Sequence, residues 1–391
     1  MNDYGIENLA RGQSVREGTA SPSRLIARYR IRGDAKGIEE RARTIAVEQS
    51  IEMPPAAVRE PSILSDILGE VAAIADRGDG WFDVEIALAS ATIGDDAGQL
   101  LNMLFGNTSL HEDVVLHDAI LPPELVAAFG GPTHGLDGLR RRAGAKHRAL
   151  TASALKPQGL APDALAEIAF TLAIGGLDFV KDDHGLADQV YSPFAKRVVA
   201  CAKAVRKAAA STGAPTRYIP SVSGHFGEIE RQLGVARDEG IDTVLIAPAI
   251  VGVSTLQGLV RAHPDFAFIA HPTLTGAARI SPILYARLFR LFGADASIFP
   301  NYGGRFGYSS RTCGEIAAGL REAWGDLKSS IPVPAGGMNV ERVPEMLRFY
   351  GKDTMMLIGG ALLSAPREEL AAATAAFVRA VADHNYGEAD V

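Results

Sequence analysis

From residue 147 onward the chain repeats one pattern eight times, a short β-branched or apolar run followed by an amphipathic stretch. The runs are "HRALTASAL" (147–155), "LDFVKDD" (177–183), "RYIPSVS" (217–223), "TVLIAPA" (243–249), "FAFIAHPT" (266–273), "ASIFPN" (296–301), "IPVPAGG" (331–337) and "TMMLIGG" (354–360). Helical patterns such as "PFAKRVVACAKAVRKAAAS" and "RVPEMLRFYG" separate them, and "REELAAATAAFVRAVADH" follows the last. Eight strand-then-helix units over roughly 240 residues predict an α/β fold, a (β/α)8 TIM barrel over 146–391.

Residues 1–145 break this pattern. "RLIARYRI" and "WFDVEIALAS" read as strands, and "IEERARTIAVEQS" and "EPSILSDILGEVAAIADRG" as helices, which predicts a small α+β sandwich. The glycines and charges of "AFGGPTHGLDGLRRRAGAKH" predict a connection into the barrel.

A hydrophobic content of 47% is enough for a core of this size. The formal charge of -7 and the lack of any basic run argue against a nucleic-acid surface. "MNDYGIENLARGQSVREG" has no apolar centre for a signal peptide, and no segment reaches about eighteen consecutive apolar residues, so no membrane partner and a cytoplasmic location are expected. Cys201 and Cys313 lack the spacing of a zinc site and read as buried small hydrophobes.

In such a barrel the reacting groups stand at the C-terminal ends of the strands. Those ends carry Lys156 after the first strand, Lys181, Asp183 and His184 after the second, His225 after the third, His271 after the fifth, and Asn301, Tyr302 and Arg305 after the sixth. The seventh and eighth end in Gly336–Gly337 and Gly359–Gly360, where bare backbone can approach an anion, so a phosphorylated substrate is expected. The alternative for each pair is a plain strand-to-helix turn. His147, His263 and His384 read as solvated side chains.

Alternation along the second strand points Lys181 and Asp183 the same way. A free ammonium repels a divalent cation, but a lysine that has taken up CO2 becomes an anionic carbamate, and that group beside Asp183 suits Mg2+. The alternative is an ordinary ion pair at the barrel rim.

The motifs resemble one family. "GGLDFVKDDH" is similar to the "GGLDFxKDDE" signature of the ribulose-bisphosphate carboxylase large subunit, and "LKPQG" to its "KPKxG" motif. "AVEQS" at Glu48, "FGN" at Asn107, "FIAHP" at His271, "PAGGM" at Gly336 and Gly337, and "LIGGA" at Gly359 and Gly360 follow in order. The resemblance implies that Lys181 is a carbamylated metal ligand alongside Asp183 and His184. It implies that Lys156 lies near the enediolate, that Glu48 and Asn107 enter the site of a partner subunit in a homodimer, and that the four glycines hold a phosphate. It also implies that the small α+β domain is ferredoxin-like. No small subunit is expected.

The departures narrow the activity. Gln158 stands where the carboxylases carry a second lysine, and His184 where they carry a glutamate ligand, so Mn2+ joins Mg2+ as a candidate. Pro272 and Ala335 replace an arginine and a serine that grip a second phosphate. Phe299 and Phe306 replace a histidine and the lysine of the mobile lid, so CO2 fixation should fail. The chain is identified with the RuBisCO-like, or form IV, branch.

What survives suits metal-dependent enolisation, with the Lys181 carbamate or Lys156 as base. The resemblance implies a singly phosphorylated ketose, first 5-methylthioribulose 1-phosphate undergoing isomerisation. Alternatives are tautomerisation of a methylthio-diketone phosphate and decarboxylation or transcarboxylation of 3-oxo-isoapionate 4-phosphate. Tyr302 and Arg305 should meet the distal end of the substrate. Arg305 suits a carboxylate there, whereas Phe299 and Phe306 suit a thiomethyl group. A rival of another class is a barrel that binds a sugar phosphate or a protein without turnover.

Overall fold

The computed structural model describes residues 23–386. It divides into two compact units, one ending at Phe129 and also taking in Gly276–Leu284, the other comprising Gly130–Thr275 and the chain from Tyr285 onward.

The first unit is a four-stranded antiparallel sheet made of β1 (Arg24–Arg32), β2 (Glu70–Gly78), β3 (Trp81–Ala89) and β4 (Val114–Ile120), in the order β2-β3-β1-β4. That order, with helices Ile38–Glu48 and Ala97–Phe105 in the connections, is ferredoxin-like. Strict alternation buries Leu25, Ala27, Tyr29 and Ile31 of β1 and Phe82, Val84, Ile86 and Leu88 of β3. Burial of each large side chain contributes about 1.5–3 kcal/mol.

The segment 60–78, expected to be one helix, is instead the short helix Pro61–Asp66 followed by strand β2. Its alanines favour a helix locally, but Gly78, Asp79 and Gly80 all adopt positive φ and form a tight hairpin that pairs β2 with β3. Strand β4 was not among the expected elements. It pairs with β1, and its Leu116 also bridges to Ile280.

The second unit contains eight parallel strands: β5 (Leu150–Leu155), β6 (Phe179–Asp182), β7 (Arg217–Ile219), β8 (Thr243–Ile246), β9 (Ala267–Ala270), β10 (Ala296–Pro300), β11 (Ile331–Ala335) and β12 (Met355–Leu357). They run β7-β6-β5-β12-β11-β10-β9-β8, and a parallel bridge between Ser221 and Leu245 brings the two ends together, so the expected barrel is present. Its interior is filled by every second residue, among them Ala152, Phe179, Ile219, Leu245, Ile269, Ile298, Val333 and Leu357.

The stretch expected as a simple connection contains a helix, Gly135–Ala143, whose Leu139 and Ala143 join the barrel core. Its start is fixed by Asp295, a buried carboxylate that accepts the backbone N–H groups of His134, Gly135 and Phe268 at 2.7, 2.6 and 2.8 Å. Gly135 has positive φ, and a Cβ there would meet Ser329 O at 2.6 Å, so only glycine fits this turn. No helix among the described residues is long and apolar enough to cross a membrane.

Candidate active site

The in-facing parity of the barrel strands decides which residues reach the mouth. Ala154 of β5 is followed two positions on by Lys156, and Phe179 of β6 by Lys181 and then Asp183. Ile269 of β9 is followed by His271. Strands β5 and β6 are direct neighbours, with Ala154 paired to Lys181, so their side chains meet at one edge of the opening.

Lys156 Nζ donates to Asp183 Oδ2 at 2.5 Å, and His184 Nδ1 lies 3.4 Å from Asp183 Oδ1. Lys181 is only 4% exposed, and its Nζ donates to the carbonyl of Asp182 at 2.7 Å. Burial pushes the Lys181 ammonium down to about 8 against the pull of Asp183 and Asp182, and the Lys156 charge lowers it further. Burial works to raise Asp183, but hydrogen bonds from His184 and Lys156 and the charge of Lys181 hold its carboxyl well below the usual range. It remains an anion.

The His271 ring stacks on His184, with centroids 4.2 Å apart and planes within 11°. Burial, then the charges of Lys181 and His184, push the His271 imidazole down to about 2, so the ring is neutral. The Thr273 backbone N–H donates to His271 Nδ1 at 3.2 Å. An amide can only donate, so Nδ1 is the acceptor and the ring proton sits on Nε2.

A second layer holds this cluster from behind. Asp182 points away from the barrel axis into an ion pair with Arg197 at 3.0 Å, and both side chains are fully buried. Tyr218 donates to the other Asp182 oxygen at 2.7 Å, and the Ser221 N–H to Oδ2 at 3.1 Å. Arg197 also donates to the carbonyls of Ser192 and Ala187, which fastens the loop that begins at His184. Sequence inspection passed over this layer. The signal for it was the first acid of "KDD", Asp182, which parity sends outward.

Gly336 and Gly337 both have positive φ, at 80° and 68°. A Cβ at 337 would lie 2.5 Å from Gly304 Cα, so this pair also serves a close approach of two loops. A Cβ at 359 would lie 3.8 Å from Lys156 Cε, which sets the Gly359–Gly360 turn beside the lysine. Gln158 lies over Gly185, where any Cβ would collide with its amide.

Other expected residues stand elsewhere. The Tyr302 hydroxyl donates to Glu345 at 2.9 Å, and the Arg305 guanidinium stacks on the Phe306 ring at 4.8 Å. Phe299 is buried against Tyr350, with centroids 6.0 Å apart, because parity puts Ile298 rather than Phe299 inside the barrel. It therefore cannot line the mouth, contrary to expectation. Asn301 is likewise buried, its amide facing Met338, Met346 and the Tyr350 hydroxyl. His225 caps the helix Phe226–Asp238, its Nδ1 accepting the Glu228 N–H. His263, expected to be solvated, bridges Glu230 and Arg237. Both cysteines are free and buried. In the first unit, Asn107 Nδ2 donates to Glu48 Oε1 at 2.7 Å.

Among the described residues no group of three or more His, Cys, Asp and Glu side chains is arranged to hold a metal ion. Asp183 and His184 provide two donors, and the other charged groups beside Asp183, Lys156 and Lys181, as amines add positive charge rather than a ligand oxygen.

Residues 135–307 match the catalytic domain of the ribulose bisphosphate carboxylase large chain. A 5-methylthioribulose-1-phosphate isomerase from Rhodospirillum rubrum is 57% identical over 92% of this chain and 96% of its own length. A 2,3-diketo-5-methylthiopentyl-1-phosphate enolase from Geobacillus thermodenitrificans is 30% identical over 88% of each chain. The crystal structure of a Rubisco-like protein from Rhodopseudomonas palustris superposes with a TM-score of 0.87 at 50% identity, covering 94% of this chain and 99% of that one. Similarity of this extent, on a ferredoxin-like unit and an eight-stranded barrel with Lys156, Lys181 and Asp183 at one mouth, means that the chain belongs to the ribulose bisphosphate carboxylase large-chain family, among its RuBisCO-like proteins.

Proposed function

We propose that this protein is a metal-dependent isomerase of 5-methylthioribulose 1-phosphate that works by enolising the sugar. The observation that carries the reading is the convergence of Lys156, Lys181, Asp183 and His271 on one opening, around a carboxylate held ionised. High identity to an isomerase of that name supports the choice of substrate.

Lys181 is prepared to take up CO2. With a pKa of about 8, roughly a tenth of its side chain is a neutral amine at pH 7, against less than a thousandth for an ordinary lysine. The amine lone pair attacks CO2, a proton leaves to solvent, and an anionic carbamate remains. Its oxygen, Asp183 and His184 would then offer a donor set suited to Mg2+, or to Mn2+ given the imidazole. A divalent ion bound there would polarise the substrate carbonyl and stabilise the negative charge of the enolised sugar.

The chain supplies the remaining steps. Two groups can hold the abstracted proton, the Lys181 carbamate and Lys156 Nζ, and they stand on adjacent strands. Isomerisation returns a proton to the neighbouring carbon, so no atom is gained or lost. The Nε2–H of His271 is a fixed donor for a substrate oxygen. The glycine turns after β11 and β12 offer backbone to the single phosphate. Phe306, 57% exposed and within 3.8 Å of where a Cβ on Gly336 would stand, is an apolar wall suited to a thiomethyl group.

Glu48 and Asn107 complete the site of a second copy in a homodimer. The groove beside Glu48 mixes apolar Val47, Met53 and Pro54 with charged Glu40, Arg43 and Glu52. The deciding experiment supplies 5-methylthioribulose 1-phosphate in deuterated water with Mg2+ and bicarbonate and follows it by NMR. Conversion to an isomer carrying deuterium at the enolised carbon is expected. Absence of both exchange and conversion across phosphorylated ketoses would favour a barrel that binds without turnover.

A further inference from the structure

The loop after β10, residues 302–309, is tied down. Arg342, on the far side of the Gly336–Gly337 turn, donates from Nη1 to the carbonyls of Tyr302 at 3.3 Å and Gly337 at 3.1 Å. Its other nitrogens grip Glu345 at 3.1 and 3.2 Å, and the Tyr302 hydroxyl donates to the same carboxylate at 2.9 Å. The guanidinium lies 5.3 Å from the Tyr302 ring centroid and against Gly303, where a Cβ would come within 3.3 Å of Nη1. The two loops touch backbone to backbone as well: a Cβ on Gly304 would meet Gly336 O at 2.8 Å.

We propose that Arg342 is a positioning residue, a strap that joins loop 302–309 to the glycine turn after β11 and presets Phe306 as a wall of the barrel mouth before substrate arrives. One planar guanidinium with five donors can bridge both loops and Glu345 at once, whereas a lysine can satisfy only one of these partners well. Fixing the loop in advance removes an ordering cost from substrate binding, so the strap acts on KM more than on kcat. That role rests on the isomerase reading; the strap itself does not.

The loop contains its own reporter. Arg305 is exposed, and the Arg305–Phe306 bond is a trypsin site whose cleavage tracks local opening. In Arg342→Met, with melting temperature monitored alongside, cleavage at Arg305–Phe306 is expected to quicken about tenfold over the wild type, with Arg342→Lys between them. KM for 5-methylthioribulose 1-phosphate is expected to rise about fivefold or more with kcat changed less than about twofold. Should Arg342→Met fold poorly, Glu345→Gln tests the same strap from its other end, with the same ordering of cleavage rates. Equal cleavage of variant and wild type at Arg305–Phe306 overturns the strap. Faster cleavage with KM unchanged overturns its positioning role. A wild type that turns over no substrate removes the isomerase reading and leaves proteolysis to decide the strap.

Discussion

Lys156 Nζ and Asp183 Oδ2 meet at 2.5 Å across the ends of β5 and β6, and this ion pair is the hinge of the proposed chemistry. In the proposed chemistry Asp183 is at once the partner of a lysine that can hold a proton and a ligand for the metal. Asp183→Asn removes both roles. Turnover should fall by about a thousandfold or more, and Mg2+ binding followed by calorimetry should be lost together with it.

The buried Lys181 ammonium costs stability. Its pKa drops from 10.5 to about 8 on folding, so below pH 8 both states are protonated and the full penalty, about 3 kcal/mol, applies. Between pH 8 and 10.5 the unfolded chain binds more protons, and the wild type gains stability as pH rises. Lys181→Met should therefore be inactive yet more stable at pH 7 in CO2-free buffer, by about 1–3 kcal/mol from urea unfolding. That advantage should shrink above pH 8 and vanish near 10.5.

Arg197 and Asp182 are both fully buried, so removing one partner leaves an uncompensated charge. Arg197→Met should cost about 3–5 kcal/mol in denaturant unfolding and free the loop behind His184. Replacing the pair together, as Arg197→Met with Asp182→Leu, should recover part of that loss.

The barrel was readable because its eight strands are short apolar runs at regular spacing, and their ends carry Lys156, Lys181, Asp183 and His271 at in-facing parity. Besides strand β4, two elements escaped for identifiable reasons. Residues 70–78 are alanine-rich and form an edge strand whose side chains are largely exposed, so nothing in their periodicity opposes a helix; only the Gly78–Asp79–Gly80 turn betrays the hairpin. The helix at Gly135–Ala143 carries three consecutive arginines and buries one of them, Arg140, against carbonyls of the chain, which a polarity pattern reads as solvated loop. Phe299 was expected at the mouth from the resemblance alone; strand parity, with Ile298 in the barrel core, turns it outward against Tyr350. Tyr302 looked like a substrate contact because its partner, Glu345, lies 43 residues away in sequence.

Phe306 is the exposed apolar side chain beside Gly336. Phe306→Ala should raise KM for the methylthio substrate about fivefold to fiftyfold, as expected when one apolar contact is lost. KM for ribulose 1-phosphate, which lacks the thiomethyl group, should move much less.

In the proposed homodimer, whose sites combine Glu48 of one copy with Lys181 of the other, defects at the two positions should complement. Glu48→Gln and Lys181→Met should each be inactive alone. Mixed after reversible dissociation, they should recover about a quarter of wild-type activity, because half of the dimers are mixed and each of those holds one intact site. Recovery should fail if Glu48 serves the barrel of its own chain.

CO2 dependence bears most directly on the whole account. The protein should be stripped of CO2, supplied with Mg2+ and 13C-bicarbonate, and followed by 13C NMR while isomerisation is assayed. The account predicts a carbamate resonance that is absent in Lys181→Met and activity that rises in step with it. Full activity in the stripped wild type, with no such resonance, would contradict it.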